Sequence, residues 1–259
     1  MKILAFDAGN THIQMGCIED GEIRAVIRFH TDPAETCSEY CVQVSRLLDF
    51  YGIRLQEIDG CIVSSVVPEV TEELKEAAYV LTGAVPMVVG PGMKTGLNVR
   101  IDDPGTLAGN LLASSVAALA EYEPPLIILD MSTATTLTVL DLKGSFPGGA
   151  ILPGLRISLD ALSSRAGLLP DISLTKPAHA IGTNTVECMR SGAIYGTAGS
   201  VDGIITRFQE ELGYPCRVIA TGHAASAVVP YCRHDISLDP QLVLKGLWLL
   251  YVKNIRKKP

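Results

Sequence analysis

One short design occurs twice in this chain. Asp7-Ala8-Gly9-Asn10-Thr11 follows an apolar run at residues 3–6, and Asp130-Met131-Ser132-Thr133-Ala134-Thr135 follows another at residues 126–129. Each reads as a strand that ends in a carboxylate, small residues and hydroxyls. At a tight turn, small residues let backbone N–H groups approach a phosphate, hydroxyls add donors, and the carboxylate holds the phosphate's divalent cation. Two such turns facing each other are expected to grip a nucleotide triphosphate from both sides.

The patterning around the two copies agrees with a duplication. Residues 2–6 and 14–18 read as strands, and Asp20-Gly21 turns the chain into residues 22–29, where Ile23, Ala25, Ile27 and Phe29 alternate with polar partners. A helix is expected at 33–51, a buried strand at 60–67, a helix opening on Pro68, and a short strand at 87–89. The Gly- and Pro-rich stretch 90–104 reads as the domain boundary, which places one half at 1–104 and the other at 105–259. After a long Ala/Leu helix the opening repeats: strands at 126–130 and 135–140, a turn at Lys143-Gly144 and a bend at Gly148-Gly149. Helices are expected at 154–165 and 185–212, a strand at 217–220, and helices after Gly222 and at 240–251. The expected fold class is therefore α/β, two similar halves with mixed sheets flanked by helices and a cleft between them.

Composition narrows the function. With 259 residues, 47% of them apolar, the chain can build its core without staples. No apolar run approaches the roughly 18 residues of a membrane span. A formal charge of −7 argues against nonspecific nucleic-acid binding. The seven cysteines are scattered, with no spacing suited to zinc, and read as reduced thiols in a cytoplasmic protein. The basic tail at 253–258 reads as a solvated helix end.

Asp-x-Gly-x-Thr after a strand resembles the phosphate turn of the actin, hexokinase and heat-shock chaperone superfamily, the actin-like ATPase (ribonuclease H-like) fold. Ala220-Thr221-Gly222-His223 is similar to that superfamily's adenosine loop. More narrowly, the chain resembles the type III pantothenate kinases along nearly its whole length. The resemblance runs through Asp7-x-Gly9-Asn10-Thr11, Ser64-Ser65-Val66-Val67-Pro68, Thr95-Gly96-Leu97 and the stretch 130–136. It continues through Pro147-Gly148-Gly149-Ala150-Ile151-x-Pro153-Gly154, Leu169-Pro170, Gly182-x-x-Thr185-x-Glu187 and Ser191-Gly192. It implies ATP-dependent phosphorylation of pantothenate, the first step of coenzyme A biosynthesis, with magnesium, a monovalent cation such as potassium or ammonium, and a homodimer. It further implies that Asp7 holds magnesium and Asp130 a monovalent cation or magnesium. Gly9, Asn10, Thr11, Thr133, Thr135, Gly149 and Gly222 would contact nucleotide, and Thr185 would contact pantothenate from the partner subunit.

The sequence departs from that family most at one motif. The Gly-x-Asp-Arg signature, whose aspartate serves as base and whose arginine contacts pantothenate, falls on Ala108-Gly109-Asn110-Leu111. These four positions are expected in the substrate pocket, with Asn110 at the place of the base. An amide holds a hydroxyl but cannot accept its proton, and loss of a general base costs about 10²- to 10⁴-fold. Leu111 offers a carboxylate only apolar contact. Three readings stand: a pantothenate kinase, a catalytically impaired nucleotide-binding or regulatory paralogue, and a kinase with a changed acceptor. Two further departures are Ser132, for a glycine of the second phosphate turn, and His223, for a glycine of the adenosine loop.

Overall fold

A computed structural model describes residues 1–255; the basic tail from Arg256 lies outside the described residues. The chain begins with a meander, β1 (Lys2–Ala8), β2 (His12–Glu19) and β3 (Glu22–His30), followed by α1 (Cys37–Phe50), β4 (Gly60–Ser65), α2 (Pro68–Thr82) and β5 (Met87–Val88). After α3 (Gly109–Glu121) a second meander follows: β6 (Leu126–Met131), β7 (Ala134–Leu140) and β8 (Gly148–Pro153). The remainder is α4 (Leu155–Arg165), α5 (Thr185–Ser191), α6 (Thr197–Leu212), β9 (Arg217–Thr221), α7 (Ala225–Val228), β10 (Ile236–Leu238) and α8 (Leu242–Asn254).

The duplication is explicit in the topology. One sheet runs β3-β2-β1-β4-β5 and the other β8-β7-β6-β9-β10. In each, the first strand of the meander pairs antiparallel with the second and parallel with the strand that follows a helical crossover. Strand for strand, β6 repeats β1, β7 repeats β2, and β9 repeats β4.

Two compact units result, one of Met1–Leu97, Asp102–Ala120 and Gln241 onward, the other of Asn98–Ile101 and Glu121–Pro240. They are not the sequence halves 1–104 and 105–259, because α3 and α8 pack with the first sheet although the second half of the sequence carries them. In that unit Ile3, Leu4, Ala5 and Phe6 are fully buried, since both sheet faces are covered. Leu4 and Phe6 meet α1 and α2 through Tyr40, Val44, Leu48 and Leu74. Ile3 and Ala5 meet α3 and α8 through Ala113, Leu244 and Leu247. Gly246 lets those two helices close up, because a Cβ there would lie 1.9 Å from the carbonyl oxygen of Ala113. In the second unit Leu129, Met131 and Leu137 pack against Leu155, Ile194, Ala198 and Val201.

Several elements differ from expectation. α1 starts at Cys37 rather than residue 33, since the Asp32 carboxylate takes the amide of Ala34 in a turn at 2.9 Å and Glu39 reaches back to the amide of Thr36 at 2.8 Å. Gly148-Gly149 is not a bend but the start of β8, the counterpart of β3; glycines carry no strand signal. β10, three residues long, is too short to announce itself. The helix expected at 185–212 is helical throughout but widens into a π turn at Gly192–Gly196. The helix after Gly222 shrinks to four residues because Pro230 follows.

Candidate functional site

In the first unit the site begins at the end of β1. Asp7 stands opposite Gln14 of β2 and Ser64 of β4, so the three side chains share one sheet face. The Ser64 hydroxyl donates to Asp7 Oδ1 at 3.2 Å. Beyond Asp7 the chain turns through Gly9, Asn10 and Thr11, whose shape is held by backbone: Gly9 N donates to the carbonyl of His12 at 3.0 Å. Thr31, just past β3, braces the same turn, its hydroxyl donating to Gly9 O at 2.6 Å and its amide to Thr11 O at 3.0 Å. Asn10 and Thr11 are exposed. The His12 and His30 rings lie 4.9 Å apart; burial, then the charge of Arg28 and His30, holds the His12 imidazole below its usual range.

The second unit repeats the arrangement at the end of β6. Asp130 stands opposite Thr136 of β7 and Thr221 of β9. It is 4% exposed, and the Ser132 hydroxyl donates to its Oδ1 at 2.5 Å. The residue in place of the family's glycine thus serves the carboxylate directly. Strand alternation turns Thr135, expected to contact nucleotide, to the face opposite Asp130 with Met131 and Leu137. Thr136 and Thr221 occupy the positions on the carboxylate's face. Period-two counting from Asp130 across the hairpin finds Thr136, whereas Thr221 is placed by the parallel pairing of β9 with β6.

The other expected residues distribute as follows. Asn110 and Leu111 open α3, half-buried, and Gly109 just before them packs on the end of β4, where an added Cβ would lie 2.9 Å from Ser64 Oγ. The start of α3, with Ala108 leading into it, therefore adjoins the Asp7–Ser64 pair within one unit. Neighbouring Asp103 caps a short 3₁₀ turn, its carboxylate accepting from the amide of Gly105 at 3.0 Å, and Arg100 pairs with Asp141 at 3.5 Å. Thr185 opens α5 but does not cap it; Asn184 does, accepting from the amide of Glu187 at 3.0 Å. Thr185 and Thr135 line one cavity of about 560 Å³ in the second unit, with Leu152, Leu159, Leu162 and Met189. Thr135 Oγ1 is buried there without a protein hydrogen bond.

Thr133 is half-buried in the turn after Asp130, and Gly149 lies in β8 opposite Thr138. Gly222 has φ +88°, and a Cβ there would strike the backbone of Met131 at 2.6 Å, so the end of β9 needs glycine to close onto β6. His223 sits exposed in an ordinary backbone conformation, since Asp20 is the one non-glycine residue with positive φ among the described residues.

These donors suit a metal-bound polyphosphate. Asp7 offers hard carboxylate oxygens beside an exposed amide and hydroxyl, and among the described residues no group of three or more His, Cys, Asp or Glu side chains gathers. Magnesium characteristically accepts one or two carboxylates and completes its shell with phosphate oxygens and water. No helix of the described residues is long and apolar enough to cross a membrane.

Comparison with known proteins gives the same direction. Residues 3–207 match the family model described as type III pantothenate kinase. The chain is 40% identical over 252 residues to a type III pantothenate kinase of Moorella thermoacetica, covering 97% of this chain and 99% of that protein. Among solved structures it resembles component A of (R)-2-hydroxyglutaryl-CoA dehydratase from Acidaminococcus fermentans, with TM-score 0.55, 13% identity and 97% of each chain covered. It also resembles a ROK family glucokinase from Streptomyces griseus, with TM-score 0.51, 11% identity and coverage of 95% and 98%. At such identities these two likenesses speak for the fold alone, the duplicated actin-like ATPase fold.

Proposed function

The chain belongs to the type III pantothenate kinase family, and from that premise we propose that it transfers the terminal phosphoryl group of ATP to the primary hydroxyl of pantothenate. What carries the reading is the doubled carboxylate row, Gln14–Asp7–Ser64 and Thr136–Asp130–Thr221, each beside a turn built to meet phosphate.

In this reading Asp7 serves magnesium and Asp130 a monovalent cation or magnesium, and the bound cations supply charge neutralisation for the polyphosphate. Gly9, Asn10, Thr11 and Thr133 offer donors to phosphate, and Gly222, which closes the end of β9 onto β6 beside Asp130, shapes the loop that meets the nucleoside. Asn110, at the start of α3, orients the acceptor hydroxyl by hydrogen bond without taking its proton. Phosphoryl transfer passes through a loose transition state and draws most of its acceleration from positioning and charge stabilisation, so the reaction survives without a base at a reduced rate. Leu111 packs against the acceptor's aliphatic part and leaves its carboxylate to another donor.

Membership of this family supports a homodimer and a cytoplasmic enzyme; the seven free cysteines suit a reducing compartment. Light scattering is expected at twice the chain mass of 27.6 kDa. The deciding assay is coupled ADP release with pantothenate, magnesium and potassium. Turnover above background at millimolar pantothenate supports the reading. ATP binding without turnover would favour the impaired paralogue, and ADP release with a neutral alcohol alone would favour a changed acceptor.

A further inference from the structure

The polar row that holds Asp7 does not stop at Gln14. Gln14 stands opposite Arg28, so Arg28, Gln14, Asp7 and Ser64 cross four neighbouring strands on one sheet face. Strands lie about 4.8 Å apart, which puts the backbone of Arg28 about 10 Å from that of Asp7, within the combined reach of an extended guanidinium and a carboxylate-bound cation.

Further down the same face the residues are apolar, with Ala5, Ile62 and Val26 beneath α3 and α8. The row marks where that cover ends. Arg28 is exposed, whereas Arg24 on the same strand is committed to Glu19 at 3.2 Å. The charge of Arg28 is felt at His12, the first residue of β2 after the phosphate turn, and Thr31, three residues on, is the residue that braces the turn.

The duplication supplies its own comparison. In the second unit the matching row is Ile151, Thr136, Asp130 and Thr221, with Ile151 78% exposed where the first unit has Arg28. The sheet frame therefore does not require a cation at this place. A planar guanidinium beside a turn of exposed donors matches phosphate oxygens two at a time.

Resting on the nucleotide reading above, we propose that Arg28 binds the polyphosphate of the nucleotide, completing on β3 the grip that Asp7 and the Gly9–Thr11 turn begin on β1. The test is calorimetric titration of the full chain with MgATP and, separately, with adenosine, using Arg28→Gln, Arg28→Lys and, as a matched charge removal on the same strand, Arg24→Gln. Arg28→Gln is expected to weaken MgATP about 10- to 100-fold, the worth of a charge-assisted contact, and to leave adenosine unchanged. Arg28→Lys should recover part of the loss, and Arg24→Gln should bind both as the unchanged chain does. Wild-type MgATP affinity in Arg28→Gln overturns the role of Arg28 alone, as does equal loss of MgATP and adenosine, which marks a disturbed sheet. Absence of MgATP binding by the unchanged chain overturns the nucleotide reading and this inference with it.

Discussion

Asn110 and Leu111 concentrate what is unusual in this chain, and their effects separate kinetically. A carboxylate in place of Asn110 adds a proton acceptor at the start of α3, beside the Asp7–Ser64 pair. Asn110→Asp is therefore expected to raise kcat by up to about 10²-fold, the lower end of what a general base supplies, and to add an acidic limb to the pH profile in the carboxylate range. Leu111→Arg acts on recognition instead, lowering KM for pantothenate about 10- to 100-fold with little change in kcat. Steady-state kinetics of both variants and of the pair check this; a kcat unmoved by Asn110→Asp would place the acceptor elsewhere. The cysteines give a second residue-scale expectation. Burial pushes the Cys61 thiol up to about 11, and burial with neighbouring Cys41 does the same for Cys37. At pH 8 about one in a thousand of each is thiolate, so exposed Cys188 should be alkylated by iodoacetamide well before either, as peptide mapping would show.

At the scale of elements, the sequence announces those whose signal is periodic or chemically marked. β1, β6, α2 with Pro68 at its start, and both acidic strand ends are readable because burial on two faces forces continuous apolar runs and because proline and turn chemistry are local. β8 and β10 are not, since glycines and a three-residue length carry no propensity; their places are set by pairing with β7 and β9. The same limit explains Thr135, whose face depends on hairpin register. The α3–α8 crossing at Gly246 belongs to this scale too. Gly246→Ala gains about 1 kcal/mol of helix propensity. It also drives a methyl group to 1.9 Å from the Ala113 carbonyl, backbone that cannot swing aside. Overpacking costs of about 1–3 kcal/mol should win. A lowered urea midpoint is expected, and an unchanged or higher one would show that the helices separate freely.

For the whole molecule, the repeat written in the sequence is the repeat in the sheets: two strand orders that superpose element by element, each with a carboxylate at the penultimate residue of its central strand. What the sequence hides is which unit each helix joins, because α3 and α8 are assigned by packing between distant segments rather than by order along the chain. The two carboxylates sit in separate compact units, and each is proposed to act on the nucleotide or its cations, so ligand stabilisation should depend on both. Saturation at about 100 times Kd adds about 2.7 kcal/mol to the liganded state. For domains of this size that corresponds to a rise of about 5–10 °C in Tm. Differential scanning fluorimetry with MgATP should show such a rise for the unchanged chain, and Asp7→Asn and Asp130→Asn should each lose most of it while keeping a cooperative transition without nucleotide. Ser132 makes the second substitution the more informative one: its hydroxyl bonds an asparagine oxygen as it does Asp130 Oδ1. Asp130→Asn therefore removes the charge and leaves the local hydrogen bond. A Tm shift surviving intact in Asp130→Asn would confine nucleotide recognition to the first unit.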